Sequence, residues 1–325
     1  LTLAPLSRCT APPFWWQRAE LIRSRVKQLV SDVSGNKRVL VTGAAGMLGS
    51  QVLLSAPDGI KTIGTDLVAS AGVDEVGVDL TDERAVSELF ERLGDISGVI
   101  HTAAYTAVDR AEEDEELALK VNGAVCGVLS KVAKAAGVPQ VLVGTDFVFD
   151  GERGEAYCED DEPNPVSAYG RTKLAGERMA LELYSEGTHI VRTQWLYGPR
   201  GQHFPGAMLA LAKDRDQLRV VDDQTGSPTS TLELAPVLWD VLANGREAIY
   251  HAACEGSCTW YGLACATLEE AGVQGVNIDP CSTEEFPRPA RRPPHSVLDC
   301  GRLAGLRGRS LAPWREALRT FLGSE

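Results

Sequence analysis

No stretch of the 325-residue chain approaches the roughly 18 consecutive apolar residues that a membrane helix requires, so no helical span is expected. Paired Cys-x-x-Cys spacing is also missing. The eight cysteines, Cys9, Cys126, Cys158, Cys254, Cys258, Cys265, Cys281 and Cys300, show no zinc-ribbon pattern, and a chain this long folds without disulfide staples. Reduced thiols in a cytoplasmic enzyme are the expectation. The tightest group, Cys254, Cys258 and Cys265, has only His251 beside it, and no metal site is expected there. Basic charge is scarce: 32 Lys and Arg against 45 Asp and Glu leave a formal net charge of −13, which opposes general affinity for nucleic-acid phosphates. A nucleic-acid partner is therefore not expected, and an anionic ligand needs a local basic pocket. What is present is a hydrophobic content of 44%, ordinary for a globular protein that buries a core.

The first 35 residues differ from the rest. Pro5, Pro12 and Pro13 break regularity, and Arg8, Arg18, Arg23, Arg25 and Lys27 outnumber Glu20 and Asp32. This extension is expected to lie outside the fold; organelle targeting, a linker or a fusion remnant each fit its composition. From Arg38 onward, short β-branched runs alternate with helical stretches. Strands are expected at 39–41, 61–63, 98–101, 140–143 and 189–192, separated by helices from about Met47 and near 82–93, 110–136 and 168–185. This alternation predicts an α/β fold, a Rossmann-type doubly wound parallel sheet over 36–197 with room for one late strand from the C-terminal half. After Tyr197, Gly198, Pro199, Gly201, Pro205 and Pro228 punctuate shorter elements, which predicts a smaller mixed α/β substrate-binding lobe over 198–325.

Three local patterns carry chemistry. Directly after the first strand, Gly43, Gly46 and Gly49 open a helix; glycines let backbone approach a pyrophosphate while the helix N-terminus offers free N–H donors. Met47 and Leu48 fall within this turn. Asp66 ends the second strand about twenty residues beyond Gly46, where an acid accepts from the adenosine ribose and repels a 2′-phosphate. That favours NADH over NADPH. By their place in such a fold, Asp79 and Leu80 border the adenine, and Ala103, Ala104 and Tyr105 line the cofactor. Next, Tyr169 and Lys173 stand at i and i+4 on one helical face after a Ser167 cap. An ammonium beside the phenol would lower its pKa, and Lys173 suits the nicotinamide ribose hydroxyls. Finally, Thr145 and Asp146 end a strand at the carboxyl edge where such sheets place ligands, with Thr145 as donor to a substrate oxygen.

Together these residues resemble the extended short-chain dehydrogenase/reductases, and within them the dTDP-4-dehydrorhamnose reductases, over about residues 37–323. The blocks that carry the likeness are His101 to Asp109, Thr145-Asp146, Tyr169 to Glu177, Arg192 to Gly198, Asp223 to Thr229, and Arg288 to Pro293. The resemblance implies reduction of the C4 ketone of dTDP-4-dehydro-L-rhamnose by NADH or NADPH, in a monomer or homodimer. Tyr169 would then protonate the C4 oxygen, Thr145 would polarise it, Asp146 would border the substrate, Trp195 would pack on the sugar, and Arg291 or Arg292 would face the diphosphate. Departures are Gly144 where the family usually has Ser, His203 where an Asn is common, and Gln51 where some members place a carboxylate for magnesium; no metal is expected. Two rivals are a non-catalytic dinucleotide-binding subunit, resembling the beta subunit of methionine adenosyltransferase, and a sugar-nucleotide epimerase or dehydratase. Trp195 and the 223–229 block match the reductases, and Phe147 stands where a dehydratase has a second acid.

Overall fold

The computed structural model describes residues 37–323, so the extension expected over 1–35 lies outside the described residues. In chain order, β1 (Lys37–Thr42), α1 (Met47–Leu54), β2 (Ile60–Asp66), β3 (Glu75–Val76), α2 (Glu83–Leu93) and β4 (Gly98–His101) come first. They are followed by α3 (Val108–Ala111), α4 (Glu115–Leu119), α5 (Val125–Ala136), β5 (Gln140–Thr145), α6 (Ala168–Tyr184), β6 (Thr188–Thr193) and β7 (Leu196–Tyr197). The remainder comprises α7 (Phe204–Leu211), β8 (Gln217–Val221), β9 (Thr225–Gly226), β10 (Thr229–Ser230), α8 (Thr231–Asn244), β11 (Ile249–His251), β12 (Cys258–Thr259), α9 (Trp260–Glu270), β13 (Asn277–Cys281), α10 (Gly301–Arg307) and α11 (Trp314–Leu322).

Seven strands form one sheet in the order β3-β2-β1-β4-β5-β6-β11, every pairing parallel. This is the doubly wound order, reversing direction between β1 and β4, where the crevice for a ligand opens. Side chains alternate across the sheet as the strand period requires. Val39 and Val41 join a core with Leu48, Val52, Leu234, Leu238 and Trp239 on one face, whereas Leu40 joins Ile63, Leu89, Val99 and Leu129 on the other. Trp239 in α8 also donates its indole N–H to the Val52 carbonyl at 3.0 Å, tying that helix to α1. The chain thus returns to the sheet after Tyr197, through α8 and β11. A smaller set of elements, β8 paired with β13, β9 with β12, and α7, α9 and α11, packs around Met208, Leu263, Leu268 and Phe321 beside the sheet.

Helix ends follow the local chemistry. Asp82 caps α2 by accepting from the Arg84 and Ala85 amides, and Ser167 caps α6 by accepting from Gly170 N. The long helix expected over 110–136 is instead broken into α3, α4, a π turn at Lys120–Ala124 and α5. Asp114 caps α4 through Leu117 N, and the widened turn sends the Asn122 side chain to the backbone N and O of Tyr105 at 2.8 and 3.1 Å. The turn's backbone also seats α6: a Cβ on Gly176 would lie 2.1 Å from the Asn122 oxygen. Tertiary packing overrides the uninterrupted helical periodicity of the sequence.

Candidate active site

A cavity of about 830 Å³ opens at the carboxyl ends of β1, β2, β4, β5 and β6. Its floor is the glycine turn. Gly43 adopts φ +70°, and a Cβ there would lie 2.5 Å from the Ala103 amide; a Cβ on Gly49 would lie 2.0 Å from the Gly43 oxygen. Only hydrogen side chains let the β1 turn, the β4 end and α1 come this close. No side chain caps α1 at Gly46, so its first N–H groups remain available where Gly46, Met47, Leu48 and Gly49 line the cavity. This cradle fits the diphosphate of a dinucleotide. At the β2 end of the cavity stands Asp66, its carboxylate accepting from Ala45 N at 3.0 Å and Val68 N at 3.3 Å, with Asp79 and Leu80 nearby in the wall. The Thr81 hydroxyl and amide hold the Asp79 carboxyl below its ordinary range.

Tyr169, Lys173, Thr145 and Asp146 meet on the opposite wall. Gly170 makes this possible, since a Cβ there would lie 2.1 Å from the Phe147 oxygen; without one, α6 seats against the turn that follows β5. Burial pushes the Tyr169 phenol up to about 12, against the opposing influence of the Thr145 hydroxyl. The expected lowering by Lys173 is therefore not what this geometry delivers. Lys173 is buried, its Nζ donates to the Val143 carbonyl at 2.7 Å, and burial lowers its own pKa. The phenol is held in its acid form, which suits a proton donor. Asp146 is buried, its Oδ2 accepting from the Ser296 hydroxyl at 2.6 Å and its Oδ1 lying in hydrogen-bond contact with the Thr145 hydroxyl at 3.1 Å.

Trp195 lines the cavity with φ +48°, the one positive φ outside glycine among the described residues. Its indole stacks on Trp260 with centroids 3.6 Å apart and planes 9° from parallel, and Gly226 leaves room for its edge, 2.5 Å from where a Cβ would be. A backbone held in this sparsely populated region marks a position fixed by its surroundings.

Not every expected residue reaches the cavity. Ala103 and Ala104 line it, whereas Tyr105 is outside the lining and packs beside Ala111, Ala118 and Ala168. Arg291 and Arg292 are also outside the lining. The Arg291 guanidinium reaches Glu152 at 3.3 Å, and Arg292 bonds to both carboxylate oxygens of Asp109. The arginine-rich segment is thus a clamp, Arg288 and Arg292 both bonding to the half-buried Asp109 carboxylate. His203 caps α7 through Gly206 N and packs on Phe321, doing the capping work of an Asn. Gly144 has a steric cause: a Cβ there would lie 2.5 Å from Glu177 Oε1, which pairs with buried Arg192.

Other lining residues fall in blocks that carry the family likeness but were given no role from the sequence. His101 Nε2, Thr193 Oγ1 and Gln194 Nε2 are buried polar atoms without a protein partner, all in cavity-lining residues. Burial drives the His101 imidazole down to about 3, so it is neutral, with Nδ1 2.6 Å from the Thr42 hydroxyl. Such unsatisfied groups call for a polar ligand. Trp260 and Ser296 come from segments far along the chain, and nothing in their local pattern announces them.

The arrangement sets a glycine turn that fits a dinucleotide diphosphate across one cavity from a Thr-Tyr-Lys set. Residues 37–325 match the family model described as the RmlD substrate binding domain. The dTDP-4-dehydrorhamnose reductase of Mycobacterium tuberculosis is 39% identical over 89% of this chain and 93% of its own. The dTDP-4-keto-6-deoxy-D-glucose reductase of Streptomyces niveus is 35% identical over 83% of this chain and 91% of its own. Among solved structures, a dTDP-4-dehydrorhamnose reductase from Bacillus anthracis in complex with NADP superposes with TM-score 0.83 at 33% identity, covering 90% of this chain and 100% of that one. Matched over almost all of its described length, with the doubly wound sheet and the Thr145, Tyr169 and Lys173 constellation in place, the chain belongs to the RmlD substrate-binding domain family.

Proposed function

We propose that this chain reduces the C4 ketone of dTDP-4-dehydro-L-rhamnose to dTDP-L-rhamnose, with NADH or NADPH as reductant. The observation that carries the reading is the single cavity that holds the glycine cradle, the Thr145–Tyr169–Lys173 set and Trp195 together. A bound reduced nicotinamide supplies the hydride. The protein's part is positional and protic. Gly43, Met47, Leu48 and Gly49 receive the diphosphate, and Asp66 accepts from the adenosine ribose, which favours NADH. Lys173 is within the same wall to hold the nicotinamide ribose. Tyr169, kept protonated by burial, donates its phenolic proton to the C4 oxygen as that oxygen gains charge. Thr145 polarises the same oxygen, and Trp195, braced by Trp260, offers an apolar wall for the sugar.

The test uses the purified full chain, freshly generated dTDP-4-dehydro-L-rhamnose, and NADH or NADPH in turn, following loss of the reduced-nicotinamide absorbance. Rapid, substrate-dependent oxidation is the expected result. Cofactor binding without oxidation would overturn it in favour of a non-catalytic subunit. A parallel assay with dTDP-4-keto-6-deoxy-D-glucose, motivated by the Streptomyces relative, reports which C4 ketone is preferred.

A further inference from the structure

Thr145 has one hydrogen and two lone pairs to distribute. Its oxygen accepts from Phe147 N at 3.2 Å and stands 3.1 Å from Asp146 Oδ1. While Asp146 is ionised it can only accept, so it competes with the Tyr169 phenol and a substrate carbonyl for the single Thr145 hydrogen. Asp146 is 1% exposed and Ser296 1%. Among the described residues Asp146 forms no ion pair; helix α6 faces it with the Tyr169 phenol, and the returning segment faces it with the Ser296 hydroxyl at 2.6 Å. Ser296 is itself fixed, its amide donating to the Thr225 carbonyl at 2.9 Å, a few residues from the clamp that Asp109 makes with Arg288, Ala290 N and Arg292.

We propose that Asp146 is a positioning residue for Thr145: protonated and braced by Ser296, it donates to the Thr145 oxygen and releases the Thr145 hydrogen towards the substrate's C4 oxygen. The inventory then closes. The Asp146 carboxyl accepts from Ser296 and from the Asp146 and Phe147 amides and donates Oδ1–H to Thr145; the Thr145 oxygen accepts from it and from Phe147 N, and the Thr145 hydrogen turns from the Tyr169 phenol to the substrate. No proton leaves Asp146; the one consumed in reduction still comes from Tyr169. Burial supports the protonated form, pushing this carboxyl up to about 7 against the hydrogen bonds of Ser296, Thr145 and the Asp146 and Phe147 amides. The inference rests on the reductase reading above, and its test separates the two.

In the full-length protein, kcat is compared for wild type, Thr145→Ala, Asp146→Ala, the double variant and Asp146→Asn. Thr145→Ala and Asp146→Ala are each expected to lose about 10-fold to 100-fold in kcat, with KM for the cofactor unchanged. The double variant loses no more than Thr145→Ala, and Asp146→Asn recovers most of the loss, because its amide nitrogen donates permanently to Thr145. Additive losses in the double variant, or no recovery with Asn, would overturn the proposal. An activity-independent measurement accompanies them: the wild-type minus Asp146→Asn infrared difference spectrum. It should show the C=O stretch of a protonated carboxyl at mildly acidic pH that disappears at alkaline pH. Its absence at mildly acidic pH would sink the proposal whatever the turnover, while wild-type turnover alone decides the reductase reading.

Discussion

Tyr169 shows how a single side chain takes its role from where it is put. In water a phenol is a weak acid; here burial makes it weaker still, so that it stays loaded with its proton at neutral pH. Tyr169→Phe removes that proton and keeps the ring. Turnover is expected to fall by about 10²-fold to 10⁴-fold while NADH affinity, measured by fluorescence titration, stays near wild type. An unchanged rate would remove the phenol from the chemistry. Asp66 is the second residue with a sharp consequence. Its carboxylate already accepts from the Ala45 and Val68 amides, which anchors it beside the glycine turn. Asp66→Ala should shift the ratio of kcat/KM for NADPH over NADH upward by about tenfold, since a charge facing a 2′-phosphate is gone. Both residues were legible in the sequence because each sits in a short motif. The direction of the Tyr169 shift was not, since burial depends on segments that fold over it.

Helix α6 is the element on which the catalytic wall depends, and Gly170 is its contact point with the 146–148 turn. Gly170→Ala would place a methyl 2.1 Å from the Phe147 oxygen and 3.0 Å from Pro165 Cβ. The helix must retreat, at a cost of about 1–3 kcal/mol in urea unfolding and with a clear loss of kcat as Tyr169 and Thr145 separate. Gly305 in α10 is the contrast: nothing lies within 4 Å of its would-be Cβ. Gly305→Ala should raise stability by about 0.5–1 kcal/mol in the same assay, through helix propensity alone. The two glycines look alike in sequence. Only their neighbours differ, which is why the sequence predicted the start and cap of α6 correctly yet gave no warning that its third residue had to be glycine. The same blindness made one helix of 110–136, where packing against α6 widens the turn at Lys120–Ala124.

Across the whole molecule, two of the ionic contacts that join separate elements carry predictions. Arg192 on β6 and Glu177 on α6 pair at 2.8 Å, 2% and 5% exposed, so neither charge has access to water. Glu177→Ala would strand a buried guanidinium and should cost about 3–5 kcal/mol, read as a lowered thermal midpoint. Asp109 is the other. Although burial opposes it, hydrogen bonds from Arg292, Ala290 N and Arg288 hold its carboxyl below the ordinary range. A depressed carboxyl stabilises the fold above its unfolded pKa and ceases to do so as pH falls through the folded one. Wild type should therefore exceed Asp109→Asn by about 1–2 kcal/mol at neutral pH, the partly exposed arginines limiting the gain, and the two should converge in acid. A difference that persists unchanged in acid would mean that the clamp works through packing.

The parts read directly from the chain are those in which neighbours in sequence are neighbours in space. The strand–turn–helix of Gly43 to Gly49, the Ser167 cap, the Tyr169–Lys173 spacing and the alternation that yields a parallel sheet all follow from periods of two and 3.6 residues. Where the chain folds back, the sequence has no comparable signal. That Ile249–His251 joins the edge of the sheet, that Arg292 holds Asp109 and not the cavity, that Trp260 backs Trp195, and that Ser296 reaches Asp146 are outcomes of contacts between residues tens to hundreds of positions apart. Those contacts exist only once the core has formed, and burial then decides which groups keep their protons.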